Sequence, residues 1–542
     1  MKKFVKFAVI IAFLTAFPAV ALAQPTPAEE GLIPVRAFFE QQGGEVAWDA
    51  DERVITIFID GGYVFISPDS LNALSNNTPV VLEDGITLHQ NRAYMQQSDL
   101  IALQLGFFGT EIVTFHLTEE ARDLALYDFD FMVNVTLENS VWDNIIYRRL
   151  GIDFDAYVAQ FRELIETMTP IEAMYLPEHL PIRGGDDPRD MAADYLSHLL
   201  FQQFIAPFGG IGHLAPRELM MYRILLSAFS IAYVDENDPA AGSAFLRNLI
   251  ETYSHPMAVW FYGEYEVDFD AEPLDAFPIV PGNIVTEIIT PGEVAYLGIR
   301  SFLSNKEYDD AIIFPFLQEI EDFDHLIIDI RGNIGGISSY FVAMIYARLL
   351  QEATASISFQ FFASGSEAVR TANNLKAVLA DVVDESMYSE VTRFEIIPSV
   401  DFVYEMGMTY FNSDDLARLS YVFIMEETVF PEFISAEDRV NFDGKIWLLV
   451  DRMSMSASAE AAILSMMTGF ATVVGENTSG VMGAFHTYIL LPNTGIIWRL
   501  DIGHFTDAYG RSLEEFGVTP QIRNREGMDA LETVLAIISD EE

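Results

Sequence analysis

Cysteine is absent from all 542 residues. That absence excludes disulfides, thiolate metal sites, cysteine nucleophiles and a lipid-bearing cysteine anchor. Basic residues are scarce as well, 30 Lys and Arg against 81 Asp and Glu, for a formal net charge of −51. A surface of that sign repels nucleic acid and anionic lipid, so neither is an expected partner. The carboxylates are scattered along the chain. No D-x-D-x-D-G spacing and no His-Glu-x-x-His pair marks a metal cage, so no metal and no other cofactor is expected. Long apolar runs are missing except at the start, where Lys2, Lys3 and Lys6 lead into an apolar stretch and Ala21-Leu22-Ala23 precede Gln24. The stretch is interrupted at Pro18 and is short for a bilayer span. It reads as a secretory signal peptide over 1–23, cleaved near Ala23-Gln24, which places the mature chain outside the cell or in its envelope.

Against these absences stands a hydrophobic content of 51% over a long chain, enough for more than one core. After a spacer, QPTPAEE, residues 24–116 alternate in β fashion around a short helical pattern that ends at Gly43-Gly44, with turns expected at Asp49-Ala50-Asp51 and a hairpin at Asp84-Gly85. Residues 117–283 carry apolar residues at three- and four-residue spacing, a mainly helical region. From 284 to 542 β runs alternate with helices, which indicates an α/β domain with a largely parallel central sheet.

Two stretches of that last region carry chemistry. "KIWLLVDRMSMSASAEAAILSMM" sets Ser454, Ser456 and Ser458 where an apolar strand gives way to a helix. A hydroxyl there is either an ordinary N-cap or a nucleophile beside free helix N–H groups able to hold an oxyanion. "HLIIDIRGNIGG" discharges another apolar strand into a glycine-rich turn whose amides can approach a ligand closely. A serine nucleophile near neutral pH needs an adjacent base, and histidine is the side chain best suited to that task.

Taken together, the motifs resemble the serine peptidases of the C-terminal-processing and tricorn protease family, also called tail-specific. The matching pieces are Asp329-Ile330-Arg331-Gly332-Asn333-Ile334-Gly335-Gly336, Asp451 to Glu460, Val474-Gly475-Glu476-Asn477-Thr478-Ser479-Gly480, Leu491-Pro492-Asn493-Thr494-Gly495 and Glu514-Glu515-Phe516-Gly517-Val518-Thr519-Pro520. The resemblance implies a ClpP/crotonase-like fold and a nucleophile at Ser456. Ala459 occupies the place of a family glutamate and Glu460 follows it, a shift that leaves Ser458, and then Ser454, as alternatives. In one branch of the family a lysine is the base, but its place here is Val481 and no lysine follows Lys445. The tricorn-like branch uses a histidine on a glycine-flanked turn, which looks like His213 in "FGGIGHLAP", and a late glutamate that orients it, which looks like Glu514, with Glu515 one place off. Gly212 stands where that branch has an auxiliary serine. His486 and His504 are rival bases. The amide of Ala457, with that of Gly335 or Gly336, is the implied oxyanion hole, and Asp329, Arg331, Asn333, Glu476 and Thr478 frame the site.

The implied activity is hydrolysis of peptide or protein substrates through an acyl-enzyme. The competing reading is a peptidase-like binding protein with impaired catalysis, which the missing lysine, Ala459 and Gly212 favour. Residues 31–110 resemble the copper amine oxidase N-terminal-like module through Val35-Arg36, Gly44 to Asp49 and Arg53 to Ile57. Only His89 and His116 lie in or beside it, so copper is not implied. The implied role is a stalk that spaces the peptidase region or contacts the cell wall or envelope.

Overall fold

A computed structural model of the chain describes residues 112–541, apart from 175–179, 209–211, 235–243, 268–279, 366, 372, 374–388 and 483–485, together with shorter pieces between 32 and 103. The expected signal peptide and the spacer after it lie outside the described residues. In the N-terminal part the strands Glu45–Asp49, Val54–Ile59, Gly62–Ile66, Asn72–Ser75 and Thr78–Val81 form an antiparallel meander. Leu32–Pro34, Arg92–Gln96 and Thr87–His89 form a second sheet. Alternation in Val54–Ile59 sends Ile55 and Ile57 into a core shared with Val35 and Phe39 of the helix Val35–Glu40. The hairpin expected at Asp84-Gly85 lies outside the described residues; the strands on either side, Thr78–Val81 and Thr87–His89, belong to different sheets. Each pairs instead with its neighbour on the other side, Ser75 opposite Thr78 and His89 opposite Arg92.

The next region is helical, with Glu119–Asn139, Trp142–Leu150, Phe154–Glu166 and Pro188–His198 as its first main helices. Buried Asp128 ties it to the last third of the chain. Its carboxylate accepts from the Asn493 amide at 3.1 Å, Asn493 Nδ2 at 3.0 Å, the Thr494 amide at 2.7 Å and Thr494 Oγ1 at 2.7 Å. The Leu491-to-Gly495 motif is therefore a turn folded around a carboxylate from a helix more than 360 positions upstream.

The central sheet has six strands in the order Ile284–Thr290, Val294–Ile299, His325–Asp329, Lys445–Val450, Thr472–Gly475 and Ile522–Arg523. The first pair is antiparallel and every other pair is parallel. Its inner strand Val294–Ile299 and most of His325–Asp329 and Lys445–Val450 are buried, as expected for a parallel sheet covered by helices, whereas the edge strand Ile284–Thr290 exposes Thr286 and Glu287. Ile327, Trp447, Leu449 and Val474 pack on Ala530, Val534 and Ile538 of the C-terminal helix Ala530–Glu541, whereas Leu326, Ile328 and Leu448 face the core that holds the helix Ala457–Thr468.

The parallel description stops at this sheet. Between its third and fourth strands the chain builds an antiparallel sheet from Ser389–Pro398, Leu419–Val429 and Thr354–Ala363, completed by Gly503–Phe505. A three-stranded antiparallel sheet, Ala215–Pro216, Ile497–Asp501 and His486–Leu490, joins the helical region to the α/β region. Replacing Asp128 by alanine strands four donors in the protein interior and is expected to lower the unfolding free energy by about 2–4 kcal/mol. Denaturant unfolding checks this; an unchanged midpoint would show that the clamp is not needed.

Candidate active site

The strand Lys445–Val450 ends in a turn that delivers Ser456 to the head of the helix Ala457–Thr468. Ser456 has φ 49° and ψ −123°, and it and Met168 are the only non-glycine residues with positive φ among the described residues. Such a conformation is strained in an L-residue and persists only where its surroundings impose it. Here the Ser456 amide donates to the Val481 carbonyl at 2.7 Å, the Met455 amide donates to the Asn333 carbonyl at 3.1 Å, and the Ser456 carbonyl accepts from the Glu460 amide at 3.0 Å. The alternative serines are committed elsewhere. Ser454 Oγ donates to the Ile330 carbonyl at 2.9 Å and accepts from the Asp451 amide, and Ser458 Oγ donates to Asn333 Oδ1 at 2.7 Å. Both are structural hydroxyls.

The glycine-rich turn lies directly on this segment. A Cβ on Gly335 would sit 2.6 Å from the Met455 carbonyl oxygen and 2.9 Å from Ser456 Cβ, so no larger residue fits. Asn333 joins the two segments: its Oδ1 accepts from the Gly335 amide at 2.8 Å as well as from Ser458, and its Nδ2 donates to the Ile299 carbonyl at 3.1 Å. The Gly335 N–H is thus occupied. Of the expected oxyanion donors, Gly336 and Ala457 remain, the latter heading a helix where an N–H has no acceptor within the helix. Val481, in the family's lysine position, is buried against Met455.

His213 is set by strand register. Ala215 pairs with Arg499 in the antiparallel ladder, and continuing that ladder by two residues puts His213 opposite Asp501. On the other side of the same strand His486 pairs with Asp501. Asp501 Oδ2 accepts from His213 Nδ1 at 2.8 Å and from the His213 amide at 2.7 Å. All three side chains are buried. Arg499 donates to His486 Nδ1 at 3.3 Å, so the His486 proton sits on Nε2, which contacts Tyr488 Oη at 2.9 Å. With its Nδ1 lone pair engaged by Arg499, His486 offers no proton to Asp501 Oδ1, 3.7 Å away. The carboxylate is left to His213. Burial, aided by Arg499, lowers the His213 pKa against the pull of Asp501, so the ring is neutral near pH 7. Burial, with Arg499 and His213 nearby, pushes His486 well below the imidazole range too. Gly212 has φ 55°, and a Cβ there would sit 2.4 Å from the Trp142 ring, whose Nε1 donates to the Asp501 carbonyl at 2.9 Å. Trp142 therefore fills the space an auxiliary serine would need.

The imidazole partner expected at Glu514 is thus Asp501. Glu514 is fully buried, and burial, with the nearby Asp501 charge, raises its pKa well above the usual range against the opposing pull of the Phe505 amide and Arg149. Its environment thus favours the protonated form, and it lies close to both halves of the site: its backbone carbonyl packs on Gly480, next to the residue that accepts the Ser456 amide. Glu515 is ion-paired with Arg148 at 2.7 Å. Asp329 accepts from Tyr296 Oη and from Arg331, which also reaches Asp529 at 2.9 Å, so this pair ties the glycine-rich turn to the C-terminal helix segment. Glu476 pairs with Arg452 at 3.1 Å, and Thr478 is bridged to Val518 through both its amide and its hydroxyl. His504 stands in the other sheet opposite Phe361, lowered to about 4 by burial. His213 Nε2 has no hydrogen-bond partner among the described residues, so the structure does not join it to Ser456 Oγ.

The model of peptidase family S41 matches residues 293–524, and that of the copper amine oxidase N-terminal domain matches residues 21–106. The segment 293–524 is a serine-type peptidase domain of family S41. Solved structures similar to the chain include mature CPAF complexed with lactacystin, at 14% identity over 78% of this chain and 97% of that one with a TM-score of 0.38. The photosystem II D1 C-terminal processing protease is similar at 16% identity over 48% and 49%, TM-score 0.27, and the tricorn protease at 10% over 92% and 41%, TM-score 0.32.

Sequence reasoning missed Asp501 and Trp142. The signal for Asp501 was a single acid inside the apolar β run "IIWRLDIGHF" of this S41 domain, a place where a carboxylate needs a partner. Two substitutions separate the acids. Asp501→Asn is expected to lower kcat/KM by about 10²–10⁴-fold through loss of the imidazole's anionic partner, whereas Glu514→Gln, which replaces one neutral group by another, changes it by less than about tenfold. Steady-state kinetics of the two variants decide; the reverse order would return the orienting role to Glu514.

Proposed function

We propose that the protein is a secreted serine peptidase in which Ser456 is the nucleophile and His213 the general base. The observation that carries this reading is the Nδ1 bond from His213 to Asp501. It puts the ring proton on Nδ1 and leaves a lone pair on Nε2, the form a base requires. Ser456 Oγ attacks the peptide carbonyl carbon as its proton passes to His213 Nε2. The tetrahedral oxyanion is held by the amides of Ala457 and Gly336, and the proton then moves to the leaving amine as the C–N bond breaks. Water, deprotonated by the same nitrogen, hydrolyses the acyl-Ser456 ester. Asp501 stabilises the imidazolium in both steps, and Glu514, uncharged, adds no second negative charge beside it. Closure of the Ser456–His213 contact belongs to the substrate complex, since catalytic hydrogen bonds are often long before substrate binds. The N-terminal module spaces this domain from the cell wall or envelope, and no metal or other cofactor takes part.

The open Nε2 favours one other reading, a peptidase-like protein that binds polypeptides without cleaving them. Hydrolysis of casein and of a peptide library by the parent and by Ser456→Ala, His213→Ala and Ser458→Ala, each checked for folding, separates the two. The first two substitutions are expected to lower the rate by about 10³-fold or more and the third by less than about tenfold. An inactive parent would support the binding protein, and activity in Ser456→Ala would refute the nucleophile.

The pH profile follows from the buried ring. A base with a lowered pKa stays unprotonated to more acid pH than a free imidazole at about 6.5. The acid limb of kcat/KM is therefore expected below that value, and a limb at or above it would contradict His213 as the base.

A further inference from the structure

Away from Ser456, the helix Ser399–Glu405 rides on the antiparallel sheet with Phe402 buried beneath it against Phe359 and Phe361, at centroid distances of 5.5 and 6.0 Å. Its outward side carries Val400 and Tyr404 one turn apart, the latter 87% exposed, beside a second row formed by exposed Asp401 and Glu405. The chain continues through exposed Met406 to exposed Tyr410, whose amide donates to the carbonyl of exposed Tyr509 at 3.0 Å. Large apolar and aromatic side chains placed together on a surface, rather than singly, mark a contact site. The charge beside them is negative, and no ion pair engages Asp401 or Glu405 among the described residues. The surface already holds one guanidinium, that of Arg511, 4.8 Å above the Tyr410 ring.

Aromatic faces edged by carboxylates select cations carried on an apolar chain, by cation–π and charge attraction together. We propose that Val400, Tyr404, Met406, Tyr410 and Tyr509, with Asp401 and Glu405, form an exosite that docks a Lys- or Arg-rich, apolar-containing segment of the polypeptide substrate. That the docked chain is a substrate rests on the peptidase reading; the docking itself does not. Tyr509 lies in the turn Asp507–Arg511, just before the helix Leu513–Phe516 that carries Glu514.

The test uses the full chain carrying Ser456→Ala, so that nothing is cleaved, and a fluorescein-labelled peptide alternating arginine and leucine, with binding read by anisotropy. Tyr404→Ser with Glu405→Gln is expected to raise Kd about tenfold or more. Tyr127→Ser with Glu120→Gln, the same change in charge and exposed aromatic surface on another helix, is expected to leave it unchanged. Equal effects in the two double variants would reduce the attraction to the general negative charge and overturn the proposal, as would equally tight binding of a peptide with glutamate in place of arginine. Binding of an uncharged glycan fragment in place of the peptide would likewise overturn it. With Ser456 intact, the exosite variant is expected to raise KM for casein while leaving kcat/KM for a short uncharged peptide unchanged. A parent inactive on both substrates would defeat the peptidase reading alone, and the anisotropy comparison would still judge the exosite.

Discussion

The carboxylate of Asp501 is fully buried on the middle strand of a three-stranded sheet, and much of the site is arranged to make that charge tolerable. An uncompensated charge in a protein interior costs several kcal/mol, so its neighbours are constrained. His213 supplies two donors, its amide and Nδ1, and the antiparallel register leaves no other residue in that place. Arg499 engages His486 and so keeps the second histidine from competing. Trp142 closes the end by bonding the Asp501 carbonyl and packing on Gly212. The electrostatic need of one acid thereby fixes the tautomer and orientation of His213, the proposed base.

Ser456, the proposed nucleophile, is fixed by a different constraint, backbone approach. Parallel strands His325–Asp329 and Lys445–Val450 are neighbours, so their C-terminal ends discharge two turns side by side, where sites commonly form in open α/β sheets. One turn is glycine-rich because the other lies within van der Waals reach of it, and Asn333 fastens them, accepting from Ser458 Oγ with its side chain and from the Met455 amide with its carbonyl. The strained φ of Ser456 is sustained by the Val481 and Asn333 carbonyls, each reached from a separate segment. Strain and donor placement thus come from the same packing.

Much of this was legible in the sequence because it is local. The apolar strands, the serine at a strand-to-helix junction and the glycine-rich turn are written in consecutive residues, and the family motifs pointed to Ser456, His213 and the framework residues in order. Asp501 was not legible, since its partner lies 288 positions away and only the pairing of Ala215 with Arg499 reveals it. Glu514 drew the orienting role through its motif, but charge state depends on burial, which no motif states. The inserted antiparallel sheet and the division of the N-terminal strands between two sheets were missed for a related reason. Alternation announces a strand and is silent about its partner.

The central claim is that the His213–Asp501 pair makes one particular serine reactive. Its most direct test is labelling of the folded chain with a fluorophosphonate, followed by mass-spectrometric mapping of the modified peptide. Modification of Ser456 alone, among Ser454, Ser456 and Ser458, is the predicted result. An unlabelled chain, or label on another serine, would contradict the account.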